Sequence, residues 1–275
     1  MTLDTALHLT VILASVGLFV TTLEELQKLR LEGAKGILSW EVLQHQYYRS
    51  IAWTGGVFTF SRYTLLKLLR LLGVLVLPFT FGTFPIGSAL ISGMVLFSLV
   101  VQYYRCAFGL DGTHQVYIIL FLSIALYGIS SQSFLISYVC LAAIALQSVL
   151  AYVISGYCKL VSQQWRDGSA LIGIMSTKIY GNARLYRWFK RHPQYSRLAC
   201  WGVIVFELAF IACCFFQPKV TLLLLGLGFS FHLVNAFAMG LNNFLMAFIA
   251  TYPAVYYCFD PAEAAKLYAL LFPAG

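Results

Sequence analysis

The stretch from Ala151 to Asn182 reads AYVISGYCKLVSQQWRDGSALIGIMSTKIYGN, and it shows how the chain is built. A long apolar run ends at Lys159, and a polar segment with Trp165, Arg166 and Asp167 follows at once. An apolar run that meets a short charged connection is typical of a helix that leaves a bilayer. Lys159 is therefore expected on the last turn of a membrane helix.

Two interpretations of Lys159 follow from that position. Lysines at the ends of membrane helices generally extend to the lipid headgroups and take no part in chemistry. A lysine that stays partly desolvated loses its proton more readily and can act as a base. The residues alone leave both interpretations open.

The composition indicates an integral membrane protein. The 275 residues are 60% hydrophobic and only 10% charged, whereas a soluble domain carries about 25% charged residues. These polar side chains are too few to cover a water-soluble core. The net charge of +8 therefore indicates loops held against anionic lipid rather than a nucleic-acid partner.

The hydrophobic runs predict an all-α, polytopic transmembrane bundle. About 20 apolar residues cross a bilayer. On that basis we predict about eight spans in a single membrane domain covering residues 1–275, near 5–22, 66–84, 87–105, 115–130, 134–157, 198–216, 219–238 and 241–258.

Two long connections are expected to carry interfacial amphipathic helices. In the first, a helix beginning at Ser39 would place Leu43, Tyr47 and Ile51 on one face. In the second, a basic helix ended by Pro193 would lie on the membrane. Its apolar face would carry Leu185, Trp188, Phe189 and His192, and its opposite face Arg184, Arg187 and Arg191.

The basic residues collect on one side of the predicted bundle. The connections 23–64, 105–114 and 159–197, with Lys67 and Arg70 at a helix mouth, hold 16 of the 18 Lys and Arg residues. Only Lys219 and Lys266 fall on the other side. The positive-inside rule then predicts a cytoplasmic basic face, external termini, and a location such as the bacterial inner membrane.

Several function classes lack their sequence signatures. The seven cysteines show no CxxC or Cys/His metal spacing, so no metal site is predicted. The chain has no phosphate loop, HExxH, GxSxG or dinucleotide fingerprint, which argues against a pump driven by ATP, a zinc protease, a serine hydrolase and a nicotinamide enzyme. No repeat or pair of broken helices indicates a transporter.

Polar residues that could meet a ligand cluster on the basic face and inside the spans. Asp111 begins a turn, and His114 opens the next span. Glu207 lies mid-span, where an ionised carboxylate costs about 2.5–3.5 kcal/mol, so it is expected to be protonated or paired. We predict Lys159 and His114 as catalytic residues. The predicted ligand pocket contains Asp111, Trp165, Arg166, Asp167, Glu207, His232, Asn235, Asn242 and Asn243.

The polar residues inside the spans also have a structural interpretation. In this interpretation Glu207 and His232 each satisfy a hydrogen bond between helices, a contribution of only about 0.6 kcal/mol. A chamber that joined Lys159, His114, His232, Asn235 and Asn243 would instead place a base, imidazoles and amides around an anionic intermediate.

Three motifs carry a family resemblance. They are Arg105…Asp111-Gly112-x-His114, then Gly156-x-x-Lys159-Leu160…Trp165-Arg166-Asp167-Gly168-Ser169-Ala170, and Phe231-His232-x-x-Asn235. Together they resemble the transmembrane domain of the vitamin K-dependent γ-carboxylases, and more closely its bacterial HTTM (horizontally transferred transmembrane) relatives. The likeness covers about residues 5–258 and is most specific over Ser155–Ala170.

The resemblance implies a membrane enzyme that binds a reduced quinone such as vitamin K. Lys159 would then deprotonate the hydroquinone, and His114 would support the intermediate. The resemblance also implies a peptide substrate, and some relatives take part in the maturation of secreted peptide toxins. The carboxylases work on a luminal face, whereas the charge bias here predicts that the matching face is cytoplasmic.

Three functions remain open from the sequence. The first is an enzyme that uses Lys159 as a base on a quinol or a peptide. The second is a non-catalytic subunit that binds a lipid, a pigment or a partner's helix in a larger complex. The third, a transporter, has the least support.

Overall fold

The computed structural model describes residues 1–33, 36–46, 56–106, 110–130, 133–216, 218–263 and 265–266. Within these ranges the chain is helical and contains no strand, which confirms the predicted all-α fold. The helices are α1 (Leu3–Gln27), α2 (Leu29–Glu32), α3 (Trp40–Leu43), α4 (Phe60–Thr80), α5 (Pro85–Arg105), α6 (Gly112–Ile129), α7 (Phe134–Val161), α8 (Gln163–Asp167), α9 (Ser169–Ser176), α10 (Ala183–Arg191), α11 (Pro193–Ala209), α12 (Pro218–Met239) and α13 (Asn242–Cys258).

Seven helical segments of the described chain are long and apolar enough to cross a membrane. They are α1, α4, α5, α6, α7, α12 and the segment Pro193–Cys214, in which α11 continues into a 3-10 turn, Phe210–Cys214. The 17-residue α13 lies where the eighth span, 241–258, is predicted. The chain is therefore a multi-pass integral membrane protein.

Several of these helices extend beyond the predicted limits, α1 and α4 among them. The α1 helix continues to Gln27 rather than ending near 22, and α4 begins at Phe60 rather than near 66. Both extensions contain charged residues, which the hydropathy criterion excludes from a span. In α1 the Glu25 carboxylate pairs with Arg70, and in α4 the exposed Arg62 side chain donates to the carbonyl oxygen of Gly56, so both helices continue through these residues.

The chain divides into two compact units, Met1–Ile144 and Ala145–Gly275, and the division falls within α7. In the first unit α1 packs against α4 and α6, and α5 packs against α4 and α6. In the second unit α8, α9 and α10 pack against one another and against α11, and α12 packs against α13.

Short helices occupy both predicted interfacial connections. The α3 helix begins directly after Ser39 and buries Leu43, while Tyr47 and Ile51 lie outside the described residues. The α10 helix begins after Asn182, whose side-chain oxygen accepts hydrogen bonds from the backbone N–H groups of Arg184 and Leu185, at 3.0 and 3.2 Å.

The exposure of α10 differs in part from the predicted two-faced pattern. Leu185 and Phe189 are half-buried, and Arg184, Arg187 and Arg191 are exposed, as expected. However, Trp188 and His192 are exposed, although the Trp188 ring lies 5.1 Å from the ring of Phe189 and 5.8 Å from that of His192. The Trp188 ring also stacks on Tyr195 of α11, with 5.2 Å between the ring centroids.

Candidate functional site

Lys159 and Glu207 form an ion pair that joins α7 to α11. The Lys159 Nζ atom lies 2.8 Å from Glu207 Oε1 and 2.7 Å from Oε2, and it also donates to Ser155 Oγ at 2.5 Å. The side chains of Lys159 and Glu207 are 17% and 4% exposed. The carboxylate that the sequence predicts to be protonated or paired thus has a lysine partner, and the ammonium keeps a limited opening to its surroundings.

A close contact between two helices brings these charges together. A Cβ atom at Gly156 would lie 2.9 Å from Glu207 Cβ and 3.0 Å from the backbone nitrogen of Leu208. Real Cβ atoms are rarely this close to their neighbours, so only glycine lets α7 approach α11 to this distance. Gly156 lies one turn before Lys159, and it therefore sets the separation at which the ion pair forms.

Gly156→Ala is expected to lower the free energy of unfolding by about 1–3 kcal/mol, because the added methyl group forces α7 and α11 apart. The matched control is Gly202→Ala on α11, where an added Cβ would meet no atom within 4 Å. Since alanine favours a helix over glycine, the control is expected to gain about 1 kcal/mol. Denaturing-detergent titration measures both, and a destabilisation of equal size in the two variants would contradict the close-contact account.

The Trp165–Gly168 segment is attached to the start of α11. The Lys159 Nζ atom lies 5.1 Å from the centroid of the Trp165 ring, a cation–π contact. Gly168 has a φ of +87°, and a Cβ there would lie 2.6 Å from the Cα atom of Arg197. Ser196 Oγ donates to the Gly168 carbonyl at 2.6 Å, and Trp201 Nε1 donates to the Arg166 carbonyl at 3.1 Å.

These contacts give a structural role to a motif that the sequence assigned to a ligand pocket. The Arg166 and Asp167 side chains are exposed. Asp167 Oδ1 accepts a hydrogen bond from the backbone N–H of Ser169 at 2.8 Å, which lowers the pKa of the Asp167 carboxyl, and the charges of Arg197 and Arg166 lower it further. The segment turns the chain sharply and holds Trp165 beside Lys159.

A second polar cluster in the same unit consists of His232, Tyr152 and Tyr252. Tyr152 Oη lies 2.8 Å from His232 Nε2 and 3.0 Å from Tyr252 Oη. Phenylalanine rings surround the cluster, with Phe210 stacked on Tyr152 at 3.9 Å and Phe248 stacked on His232 at 4.5 Å. The other ring nitrogen of His232, Nδ1, is buried and has no hydrogen-bond partner in the described part of the chain.

The predicted asparagines also belong to the second unit. Asn235 is half-buried on α12, three residues after His232. Asn242 is exposed and Asn243 is half-buried, and both lie in the first turn of α13. Each has a polar side chain near the end of a membrane helix.

His114 and Asp111 lie in the first unit, at the start of α6. Asp111 caps this helix: its side chain accepts a hydrogen bond from the Thr113 backbone N–H at 3.0 Å and a second one from the Thr113 hydroxyl. His114 is buried, and its Nε2 atom lies 2.8 Å from the carbonyl oxygen of Leu99 on α5. Within this unit, Asp111 and His114 thus fix the start of α6 and its contact with α5.

The first unit also contains a buried charge network, which we define by Glu25, Glu32, Lys67, Arg70 and Arg105. Lys67 Nζ lies 2.8 Å from both carboxylate oxygens of Glu32. Arg70 donates to Glu25, and both also bond to Gln102, with 2.5 Å from Arg70 Nη1 to Gln102 Oε1. The Lys67 and Arg70 side chains are 1% and 0% exposed.

Arg105 completes the network through backbone carbonyls. Its guanidinium group donates to the carbonyl oxygens of Phe58, Glu32 and Leu38 at 3.2, 3.4 and 3.3 Å. It also lies 4.2 Å from the centroid of the Tyr63 ring. Arg105 therefore fastens the connection between α1 and α4 onto the end of α5.

The structure joins three of the residues predicted for the site, Lys159, Glu207 and Trp165. His232 belongs to a separate hydrogen-bonded cluster, and His114 to the first unit. Tyr152, Ser155 and Gly156 were missed as site residues. A signal for them exists in the sequence, because Ser148, Tyr152, Ser155 and Lys159 recur at helical spacing on one face of an otherwise apolar helix.

The described ranges of the chain contain no candidate metal site. Within these ranges no group of three or more His, Cys, Asp or Glu side chains has the arrangement to hold a metal ion, and the seven cysteines are free thiols.

Comparison with protein-family models, curated proteins and solved structures gives no match to this chain.

Proposed function

We propose that this chain is a membrane enzyme of the HTTM type in which Lys159 and Glu207 move a proton of a lipid-soluble substrate. The observation that carries the proposal is the ion pair between α7 and α11, with Lys159 Nζ 2.7 and 2.8 Å from the two carboxylate oxygens of Glu207. Ionisable residues inside membrane spans are costly and are generally functional. In this pair an acid and a base lie within hydrogen-bond distance of each other.

The proton transfer starts from the paired, charged form. An ammonium group has no electron pair with which to accept a proton, so Lys159 first passes one proton from Nζ to the Glu207 carboxylate. The neutral amine then takes the proton of a weakly acidic substrate group and becomes an ammonium again. The substrate proton is thereby stored as the carboxylic acid of Glu207, and the Lys159 cation stabilises the negative charge left on the substrate.

A reduced quinone is the substrate class that the resemblance favours, and it supplies a weakly acidic ring hydroxyl. Trp165 supports this choice, because its indole ring lies beside the ammonium and offers a flat face to a planar ring. Lys159 and Trp165 would hold the hydroxyl end of such a molecule. A peptide is the second substrate class that the resemblance suggests.

Turnover of a reduced quinone tests this function. Purified protein in lipid nanodiscs would be given reduced vitamin K and oxygen, and quinone epoxide would be measured by mass spectrometry. We expect Lys159→Ala and Glu207→Gln to lower the rate by about 100-fold or more, as for loss of a general acid or base. The control is Lys266→Ala, which breaks an exposed ion pair with Glu263. Equal turnover in wild type and Lys159→Ala would contradict the proposal.

A second candidate function is a non-catalytic subunit of a larger membrane complex. The contact of Lys159 with both carboxylate oxygens of Glu207 favours this candidate, because such an ion pair also holds α7 and α11 together. In such a subunit the double variant Lys159→Met/Glu207→Leu would assemble and work normally. Quinone turnover would then be absent from the wild-type protein as well.

We propose further that the basic connections face the cytoplasm of a bacterial inner membrane, as the charge bias predicts. A cysteine introduced at the exposed Ser176 tests this orientation. In intact cells a membrane-impermeant maleimide is expected to leave Ser176→Cys unlabelled beyond the wild-type background, and lysis should make it reactive. Labelling of intact cells would place the basic connections outside.

A further inference from the structure

The segment between α7 and α11 is held at the membrane surface by its two ends. The α7 helix, which ends at Val161, and the helical segment that begins at Pro193 both have the length and composition of membrane spans. The residues between them form α8, α9 and α10 and the turns that join them. Because both ends enter the bilayer, this segment lies close to the lipid headgroups.

The charge of this segment is almost entirely positive. Residues 162–197 contain seven cations and one carboxylate, Asp167. The cations are Arg166, Lys178, Arg184, Arg187, Lys190, Arg191 and Arg197. Across the part of the chain that the structure describes, none of the seven forms an ion pair, whereas Lys67, Arg70 and Lys159 all do. The segment therefore carries a surplus of positive charge that no ion pair among the described residues neutralises.

Three arginines of α10 form a row along its exposed side. Arg184, Arg187 and Arg191 are three and four residues apart, which places them on neighbouring turns of one helix face. All three are exposed, while Leu185 and Phe189 on the other side are half-buried against the protein. We call Arg184, Arg187 and Arg191 the α10 arginine row.

Apolar side chains suited to a lipid interface flank this row. Trp188 is 43% exposed and stacks on Tyr195, which is 48% exposed. In the turn before α10, Ile179 is 81% exposed and Tyr180 44%. Tryptophan and tyrosine are enriched at the headgroup level of membranes, where one end of the ring is wet and the other is not.

We propose that the α10 arginine row binds the phosphate groups of anionic phospholipids in the bilayer that surrounds the protein. The planar guanidinium groups can each donate two parallel hydrogen bonds to a phosphate. Trp188 and Tyr180 lie in the interface beside the headgroups, and Ile179 enters the acyl region. The surface is thus specific for negatively charged lipid and not for lipid in general.

The position and composition of the surface favour lipid over a nucleic acid or an acidic peptide. Both ends of the segment enter the bilayer, so headgroups meet the row without any association step. A nucleic acid would be bound by the cations alone, and the exposed Ile179 beside them would stay in water. A bilayer accounts for the cations and for the exposed apolar residues together.

Hydrogen–deuterium exchange in lipid nanodiscs tests the proposal without reference to any enzymatic activity. The full-length protein would be placed in phosphatidylcholine alone or in phosphatidylcholine mixed with phosphatidylglycerol, and exchange would be followed over residues 178–197. We expect exchange about tenfold slower in the mixed membrane, because each cation near an anionic surface adds to the attraction. Native mass spectrometry of the released protein should retain phosphatidylglycerol.

Charge-matched variants separate this site from general electrostatics. The triple variant Arg184→Gln/Arg187→Gln/Arg191→Gln is expected to lose the protection. The control Lys28→Gln/Lys219→Gln/Lys266→Gln removes the same charge from three exposed positions elsewhere and should keep it. A third variant with lysine at the three arginine positions should keep most of the protection from exchange. Its result separates the effect of lost charge from the effect of a lost fold.

Several outcomes would overturn the proposal. One is equal protection in membranes with and without phosphatidylglycerol, and another is full protection of the glutamine variant. Protection of the protein in detergent by inorganic phosphate would show a site for free phosphate instead. Protection there by polyglutamate or single-stranded RNA would assign the surface to a soluble partner.

Discussion

Arg70→Met is expected to lower the free energy of unfolding by about 3–5 kcal/mol, because it leaves the half-buried carboxylate of Glu25 with only a more distant cation, Lys67, at 3.9 Å. In the folded protein the guanidinium of Arg70 bonds to Glu25 and to Gln102, and the Arg70 side chain is fully buried. Methionine fills a similar volume but cannot neutralise Glu25. Titration with a denaturing detergent, followed by circular dichroism, measures the loss.

Two variants identify the cause of that loss. Arg30→Met removes an exposed arginine from α2 and is expected to change the stability by less than about 0.5 kcal/mol. The double variant Arg70→Met/Glu25→Leu removes both buried charges and should recover much of the stability, since no unpaired carboxylate remains. A loss of under about 1 kcal/mol for Arg70→Met would contradict this account and would mean that Lys67, water or headgroups neutralise Glu25.

Lys159→Met and Glu207→Leu are each expected to lower the free energy of unfolding by about 3–5 kcal/mol, as for other buried pairs that lose one partner. Each single variant leaves a charge between α7 and α11 that no other described side chain can neutralise. The double variant removes both charges, and we expect it to be within about 1 kcal/mol of the wild type. The strong non-additivity is the signature of a direct pair.

The exposed pair Lys266–Glu263 provides the matched control for this cycle. The Lys266 Nζ atom lies 2.7 Å from Glu263 Oε1, but the lysine side chain is 65% exposed. Its single variants are therefore expected to change the stability by only about 0–1 kcal/mol. Additive losses for Lys159→Met and Glu207→Leu would contradict the ion pair, because two independent residues do not compensate each other.

The helical fold follows from the sequence because hydropathy reflects a strong and local requirement. A run of about 20 apolar residues has one stable solution in a bilayer, a helix that satisfies its own backbone. The limits of α1 and α4 are less predictable, because Glu25 near the end of α1 pairs with Arg70 elsewhere in the chain, whereas Arg62 near the start of α4 is exposed. Charged residues at a helix end look the same in a sequence whether they meet water or each other.

The candidate site is predictable only in part, for the same reason. The mid-span position of Glu207 implies a partner, and the end of an apolar run makes Lys159 notable, but 48 positions separate the two. Their pairing depends on Gly156, which determines how closely α7 and α11 approach. The partner of His232, Tyr152, is still farther away in the sequence, at 80 positions, and neither spacing nor composition indicates that contact.

The account depends on a proton that moves from substrate to Glu207 by way of Lys159. Its most direct test is the infrared difference spectrum recorded when reduced vitamin K is added to the purified protein in lipid. We predict the loss of a carboxylate absorption and the gain of a carboxylic acid absorption in the wild type, and neither change in Glu207→Gln or Lys159→Met. An unchanged carboxylate absorption in the wild type, with the quinone demonstrably bound, would contradict the account.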